Sequence, residues 1–317
     1  MRGAAVALLF LLVSPVAAWN KAGHMVSGAI AAAELRAADP AAFAEVVRLL
    51  KAHPQYSERW ERRLDSAPDG DRELMLFMLA ARWADDIRGD AAFHRSKWHY
   101  INLPFKPDGQ PESIEPPPPD SDNILRAFEL NLGILSRAIS TEEEKAIALC
   151  WIFHLVGDAH QPLHVVSLFT TEFPRGDRGG NAFQIRAKPD AAAISLHKFW
   201  DDLIIGTENA RSVRNRAIEL RLRPEHARAR LPELQNRLFE QWLKRESFRL
   251  AKDVVYRNGQ LHGSADAATA PSLPSDYIPE AKAIAERQIV LSGYRLADVL
   301  RQAVTKTRAP KSDSDWR

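Results

Sequence analysis

The stretch IALCWIFHLVGDAHQPLH, residues 147–164, is an apolar helical run that nevertheless carries His154 and Asp158. Four residues apart on a helix, those side chains share a face. Pro162 then turns the chain, and His164 follows. A second apolar segment, ISLHKFWDDLII, repeats the spacing with His197 and Asp201. Taken singly, such a pair is an ordinary helix-surface ion pair. Here both pairs sit in apolar surroundings, where uncompensated charge is costly. The chain must fold so that something neutralises them, and a shared cation does so. Zinc accepts both imidazole nitrogen and carboxylate oxygen, which suits this donor set. His160 presents a different face from His154 and Asp158 and reads as a structural or supporting group.

The remaining sequence supplies mostly helices. Apolar spacing predicts them over 24–36 and 40–53, and Asp71 can cap RELMLFMLAARWADDI. The segment 123–139 puts Ile124, Phe128, Leu132, Leu135 and Ile139 on one face. Thr141 followed by Glu144 is a capping box for the helix that carries His154. Later helices are expected over 192–204, 208–221, 232–256 and 275–304. Strand-like material is confined to KWHYINL and AFQIRA, as a small hairpin or extended loops. PFKPDGQPESIEPPPPDSD is a surface excursion or lid, and TTEFPRGDRGGNA is a glycine-rich loop. No internal repeat or domain boundary is visible. The expected architecture is mainly α: one compact multi-helix domain with a minor β-hairpin and long loops.

Residues 1–18 read as a cleaved secretory signal: Arg2, an apolar run from Ala4 to Val13, then Val16-Ala17-Ala18 before Trp19. The expected product is exported, secreted or periplasmic, with no membrane anchor. Its functional domain spans 19–306, followed by a polar tail at 307–317. Lys plus Arg total 43 against 41 Asp plus Glu, so no global field recruits nucleic acid or a membrane; any such substrate must be held locally. Cys150 is the only cysteine, which excludes an internal disulfide, and it reads as a buried inert thiol. No stable protein partner is implied.

Two upstream segments carry further donors. ARWADDIR ends an apolar helix with Asp85 and Arg88, and KWHYINLP holds His99 among aromatic residues. Asp85 could be a helix-end charge and His99 a satisfied core residue, because spacing alone does not carry either to His154.

The ordered set WNKAGH, WADDIR, WHYINLP, HLVGDAHQPLH, RGGN, LHKFWD and GYRLADVL resembles the zinc-dependent single-strand nucleases of the S-one/P-one type, which include mung bean nuclease. The order of these motifs is far more specific than any one of them. The resemblance implies a fold of the phospholipase C/nuclease type and three zinc ions held by nine residues. Asp85, His99, His154 and Asp158 would bind the first ion of a close pair. Trp19, through its free amine and carbonyl oxygen, would bind the second with His24 and the shared Asp158. His164, His197 and Asp201 would bind the third.

The implied activity is hydrolysis of single-stranded DNA and RNA to 5′-phosphorylated products, with action on 3′-mononucleotides. The attacking hydroxide would lie between the paired ions. Asp85 and Arg88 take the catalytic positions, with Arg88 on the phosphate. Tyr100 is either a wall for an unstacked base or a packing residue. Asn102 stands where some relatives have a base-contacting aspartate, a departure that bears on base preference. Asn181 could bond nucleotide, support a ligand or simply complete a glycine turn.

Two rivals remain at this level. Zinc phospholipase C shares the trinuclear arrangement, but its last ligand is typically glutamate where this chain has Asp201. An exported zinc-binding protein without turnover would more often use His- or Cys-rich tracts.

Overall fold

Short polar side chains start the helices, each accepting a bond from an otherwise orphaned amide. Asn20 caps α1 (Lys21–Ala38), and Asp39, followed by a proline, caps α2 (Pro40–Lys51). Asp71 caps α3 (Arg72–Asp86) as expected, and Asn123 caps α4 (Ile124–Ser136). The Thr141–Glu144 capping box forms in full and opens α5 (Glu142–Asp158). Ser195 caps α6 (Leu196–Asp201), and Asn209 caps α7 (Ala210–Leu222). The long α8 spans Tyr277–Arg308. These elements come from a computed structural model that describes residues 19–308. The expected leader, 1–18, and residues 309–317 of the expected tail lie outside the described residues.

α1 is alanine-rich and packs on α2, α3, α7 and α8, while α5 packs on α2, α3, α4 and α8. Both are buried over most of their length, so the donors they carry are held inside the helical core. Cys150 is fully buried, and burial pushes its thiol pKa well up, which fits the inert reading. The mainly-α expectation holds. Among the described residues the strands are two short pairs: β1 (Leu103–Phe105) runs parallel to β2 (Val166–Leu168), and β3 (Gln184–Ile185) antiparallel to β4 (Ile194–Ser195).

Several local expectations change. KWHYINL and AFQIRA do not pair with each other. The first is zipped to the chain beyond α5, with Ile101 N donating to His164 O and Leu103 N to Val165 O. α4 stops at Ser136, so Ile139 leaves the apolar face and is 91% exposed. The helix expected over 192–204 shrinks to α6 because Ile194 and Ser195 are taken by β4.

The helix expected over 232–256 forms over 239–255, after a 3-10 turn at Pro232–Gln235, and its turns widen to π at Trp242–Ser247 and Ala251–Val255. The wider turn is accompanied by tertiary bonds from its side chains. Ser247 donates to Ala159 O at 2.6 Å, and Glu246 accepts from Arg295 at 2.7 and 2.9 Å.

Candidate metal centre

α1, α3 and α5 bring His24, Asp85, His154 and Asp158 together. A 3-10 turn at Ser96–His99 adds His99. Asp158 is fully buried and divides its two oxygens. Oδ1 lies 3.2 Å from His24 Nε2; Oδ2 lies 3.2 Å from His99 Nδ1 and 3.4 Å from His154 Nε2. His154 Nε2 is also 3.0 Å from His99 Nδ1 and 3.8 Å from Asp85 Oδ1. Two donors on a tetrahedral zinc, each about 2.0–2.1 Å from it, stand roughly 3.3 Å apart. The observed spacings match that value.

The second group is His164, His197 and Asp201, all buried. His197 Nε2 lies 3.6 Å from Asp201 Oδ2, and the two imidazole rings are 4.9 Å apart. His164 Nδ1 is 3.9 Å from Asp158 Oδ1, so the groups adjoin.

Outer hydrogen bonds set the tautomers. The Nδ1–H groups of His154, His164 and His197 donate to the carbonyls of Ala81 (2.9 Å), His99 (2.6 Å) and Gly179 (2.6 Å). That assignment puts the lone pair of each ring on Nε2, the form a metal needs. The carbonyl of Gly179 is available because the turn around it is left-handed, with φ of 57° at Arg178, 62° at Gly179 and 77° at Gly180. A Cβ on Gly179 would stand 2.2 Å from Leu163 O. Asp177 pins this turn by accepting from Leu168 N, Gly180 N and the Tyr256 hydroxyl; burial pushes its carboxyl up to about 6.

Without a cation these groups resist charge. Burial pushes the carboxyls of Asp158 and Asp201 well above the ordinary range. Burial, then the neighbouring His154, His164 and His99, holds His24 far below its usual value. Burial likewise lowers His99 to about 4 and also lowers His154. Several buried polar atoms make no hydrogen bond: both ring nitrogens of His24, Asp85 Oδ2, His99 Nε2 and Asp158 Oδ1. Orphaned donors and acceptors on this scale are rare in folded proteins. Bound zinc would take up the lone pairs among them, and the donor set fits that metal.

The other expected residues fall as follows. Trp19 is buried, and the next amide, Asn20 N, donates to Asp201 O at 3.3 Å, which sets the start of α1 beside the second group. Arg88 bonds Asp85 Oδ1 and keeps part of its side chain exposed. Tyr100 and Asn102 are half-buried beside His99. Asn181 is half-buried and donates to Arg178 O at 2.9 Å, which supports the turn reading.

His160 is held away from the donors, giving its Nδ1–H to Val156 O and accepting from Arg295. Of the histidines without a motif, His53 and His226 are buried. Sequence reasoning passed over Gln161, Asp177 and Arg295. Gln161 had a signal, a polar residue between the candidate donors Asp158 and His164 in GDAHQPLH; Asp177 and Arg295 had none.

A mainly helical domain with two adjoining buried His/Asp groups defines a candidate multinuclear metalloprotein. Comparison with known proteins narrows that class: residues 19–305 match the family model S1/P1 Nuclease, and the chain belongs to that family. It is similar to Endonuclease 4 of Arabidopsis thaliana, 30% identical over 167 residues, 48% of this chain and 49% of the relative. It is also similar to Endonuclease 2 of the same plant, 29% identical over 209 residues, 63% of this chain and 60% of the relative. The chain thus spans about half to three-fifths of the length of these relatives.

Proposed function

We propose that this chain is a zinc-dependent phosphodiesterase that hydrolyses single-stranded DNA and RNA to 5′-phosphorylated products and also acts on 3′-mononucleotides. The observation that carries the reading is the divided carboxylate of Asp158. One oxygen faces His24 and the other faces His99 and His154, as a carboxylate shared by two cations would. His24, Asp85, His99, His154, Asp158 and the Trp19 main chain would hold a pair of zinc ions. His164, His197 and Asp201 would hold the third.

Zinc, when bound, supplies Lewis acidity toward phosphate oxygens and an acidified water. The protein's part is position and charge. Arg88 is anchored through one nitrogen to Asp85, which leaves its other donors for a phosphate. A planar fork suits that role better than a lysine's point charge. Arg88→Lys should lower kcat by about 100-fold. Tyr100, next to His99 and half-buried, would serve as the wall for an unstacked base, which would favour single strands. Asn102 follows Tyr100 by two residues, and Asn181 closes the turn whose Gly179 carbonyl orients His197. Export through the 1–18 leader accompanies this reading. Among the described residues no helix is long and apolar enough to cross a membrane.

Purified chain beginning at Trp19 should carry three zinc ions and release 5′-phosphorylated products from single-stranded DNA and RNA. Asp85→Ala should abolish both hydrolyses. Release of phosphocholine from phosphatidylcholine without nucleotide release would move the chain to the phospholipase branch. Zinc binding without any hydrolysis would leave a binding protein.

A further inference from the structure

Gln161 is fully buried between the end of α5 and Asp201. Its backbone N–H donates to Asp158 O at 3.0 Å, which ties it to the shared carboxylate's own residue. Its side chain makes two bonds of fixed sense. Oε1 accepts from Leu163 N at 2.6 Å, so Nε2 must point the other way, where it donates to Asp201 Oδ1 at 2.7 Å. The backbone amide of Leu163 can only donate, so the side-chain amide cannot flip without leaving two donors face to face. Asp201 Oδ1 is therefore occupied, and Oδ2 is the oxygen turned toward His197 Nε2, 3.6 Å away.

We propose that Gln161 is a positioning residue that restricts Asp201 to one metal-facing oxygen and thereby sets the affinity and geometry of the His164–His197–Asp201 site. The assignment rests on the zinc reading above. A neutral amide suits the task chemically. It satisfies one carboxylate oxygen without bringing a second cation, as lysine would, and without adding a repelling charge, as glutamate would. It also couples the helix that ends in Asp158 to the helix that ends in Asp201, so the third site is built in register with the pair.

The test compares wild type with Gln161→Met, which keeps length but has neither bond, and Gln161→Glu, which sets an oxygen against Asp201 Oδ1. Zinc per chain is measured after dialysis against a weak chelator. Both variants should retain one zinc ion fewer than wild type, with affinity for that ion lowered about 10–100-fold, the usual effect of removing a group that orients a ligand. In cobalt-substituted Gln161→Met the visible absorption bands should change, because Asp201 is free to bind through both oxygens. In Gln161→Met the chelator-treated chain should itself melt below wild type, because buried Leu163 N loses its acceptor, and the further rise in melting temperature on adding zinc should be smaller than in wild type. Wild-type zinc content, affinity and cobalt spectrum in both variants would overturn the assignment. So would intact zinc content with a lowered metal-free melting temperature, which would mark Gln161 as structural only. A wild-type chain that binds no zinc would sink the metal reading, and this assignment with it.

Discussion

Gly157 of α5 makes room for His24 of α1: a Cβ on Gly157 would stand 2.6 Å from His24 Nδ1. His24 in turn stacks on His154, with ring centroids 3.8 Å apart and planes inclined by 19°. In an isolated helix, glycine costs about 1 kcal/mol relative to alanine, so Gly157→Ala should favour α5 by itself. The clash reverses the benefit by displacing a ligand. We expect Gly157→Ala to keep its helical circular dichroism but lose one zinc ion of the pair, with activity down at least about 10-fold. Full zinc content in that variant would show that α1 and α5 can separate without disturbing His24.

Removing metal should weaken the fold as well as the chemistry. Buried Asp158 and Asp201 are pushed toward the neutral acid, and His24, His99 and His154 toward neutral imidazole, so a bound cation stabilises the charged carboxylates and uses the neutral rings. A site filled at about 100 times its Kd adds about 2.7 kcal/mol, so three such sites add roughly 8 kcal/mol. At about 2–4 °C per kcal/mol, chelation should lower the melting temperature by on the order of 20 °C. Readdition of zinc should restore it. Calorimetry with and without chelator measures both steps.

The candidate donors were legible where a local pattern repeats. His154, Asp158, His197 and Asp201 announce themselves by four-residue spacing in apolar helices, and the capping box at Thr141 fixes where α5 begins. Asp85 and His99 could be joined to them only through family resemblance, since tertiary packing alone brings α3 and the Ser96–His99 turn onto α5. Supporting groups were least legible. Gln161 meets Asp201 across 40 residues, and Tyr256 meets Asp177 across 79, distances over which no sequence period operates. The π widening of the helix over 239–255 escaped for a related reason. The segment's apolar spacing is helical, but the bonds from Ser247 to Ala159 and from Arg295 to Glu246 accompany wider turns than an α-helix has.

His53 gives a pH dependence outside the metal site. It packs against Trp60, Trp83 and Phe93, accepts from Gln55 N through Nδ1, and burial lowers its pKa from 6.5 to about 4. Between those values the unfolded chain binds the proton and the folded chain does not, so acid favours unfolding. The neutral ring's contribution is complete above about pH 6.5 and is lost as pH falls toward 4. The whole shift corresponds to on the order of 3 kcal/mol. Urea titrations of wild type and His53→Leu at fixed zinc should therefore show a stability difference that moves against wild type by that amount from pH 7 to pH 4. Parallel pH profiles would mean that the folded ring is protonated without penalty.

The start of α1 carries the last prediction. Trp19 is buried, Asn20 caps the helix through Gly23 N, and Asn20 N reaches Asp201 O. These contacts fix residue 19 one turn before His24, and no side chain in the described structure supplies an amine beside His24 and Asp158. If cleavage after Ala18 creates that amine, processing completes the paired site and does more than release the chain. Chain made with one extra residue before Trp19 should keep the third zinc ion, lose or weaken one of the pair, and hydrolyse single-stranded DNA at least about 10-fold more slowly. Proteolytic removal of the extra residue should restore zinc content and rate together. Equal zinc content and equal rate before and after removal would exclude the amine as a ligand and leave Trp19 a packing residue.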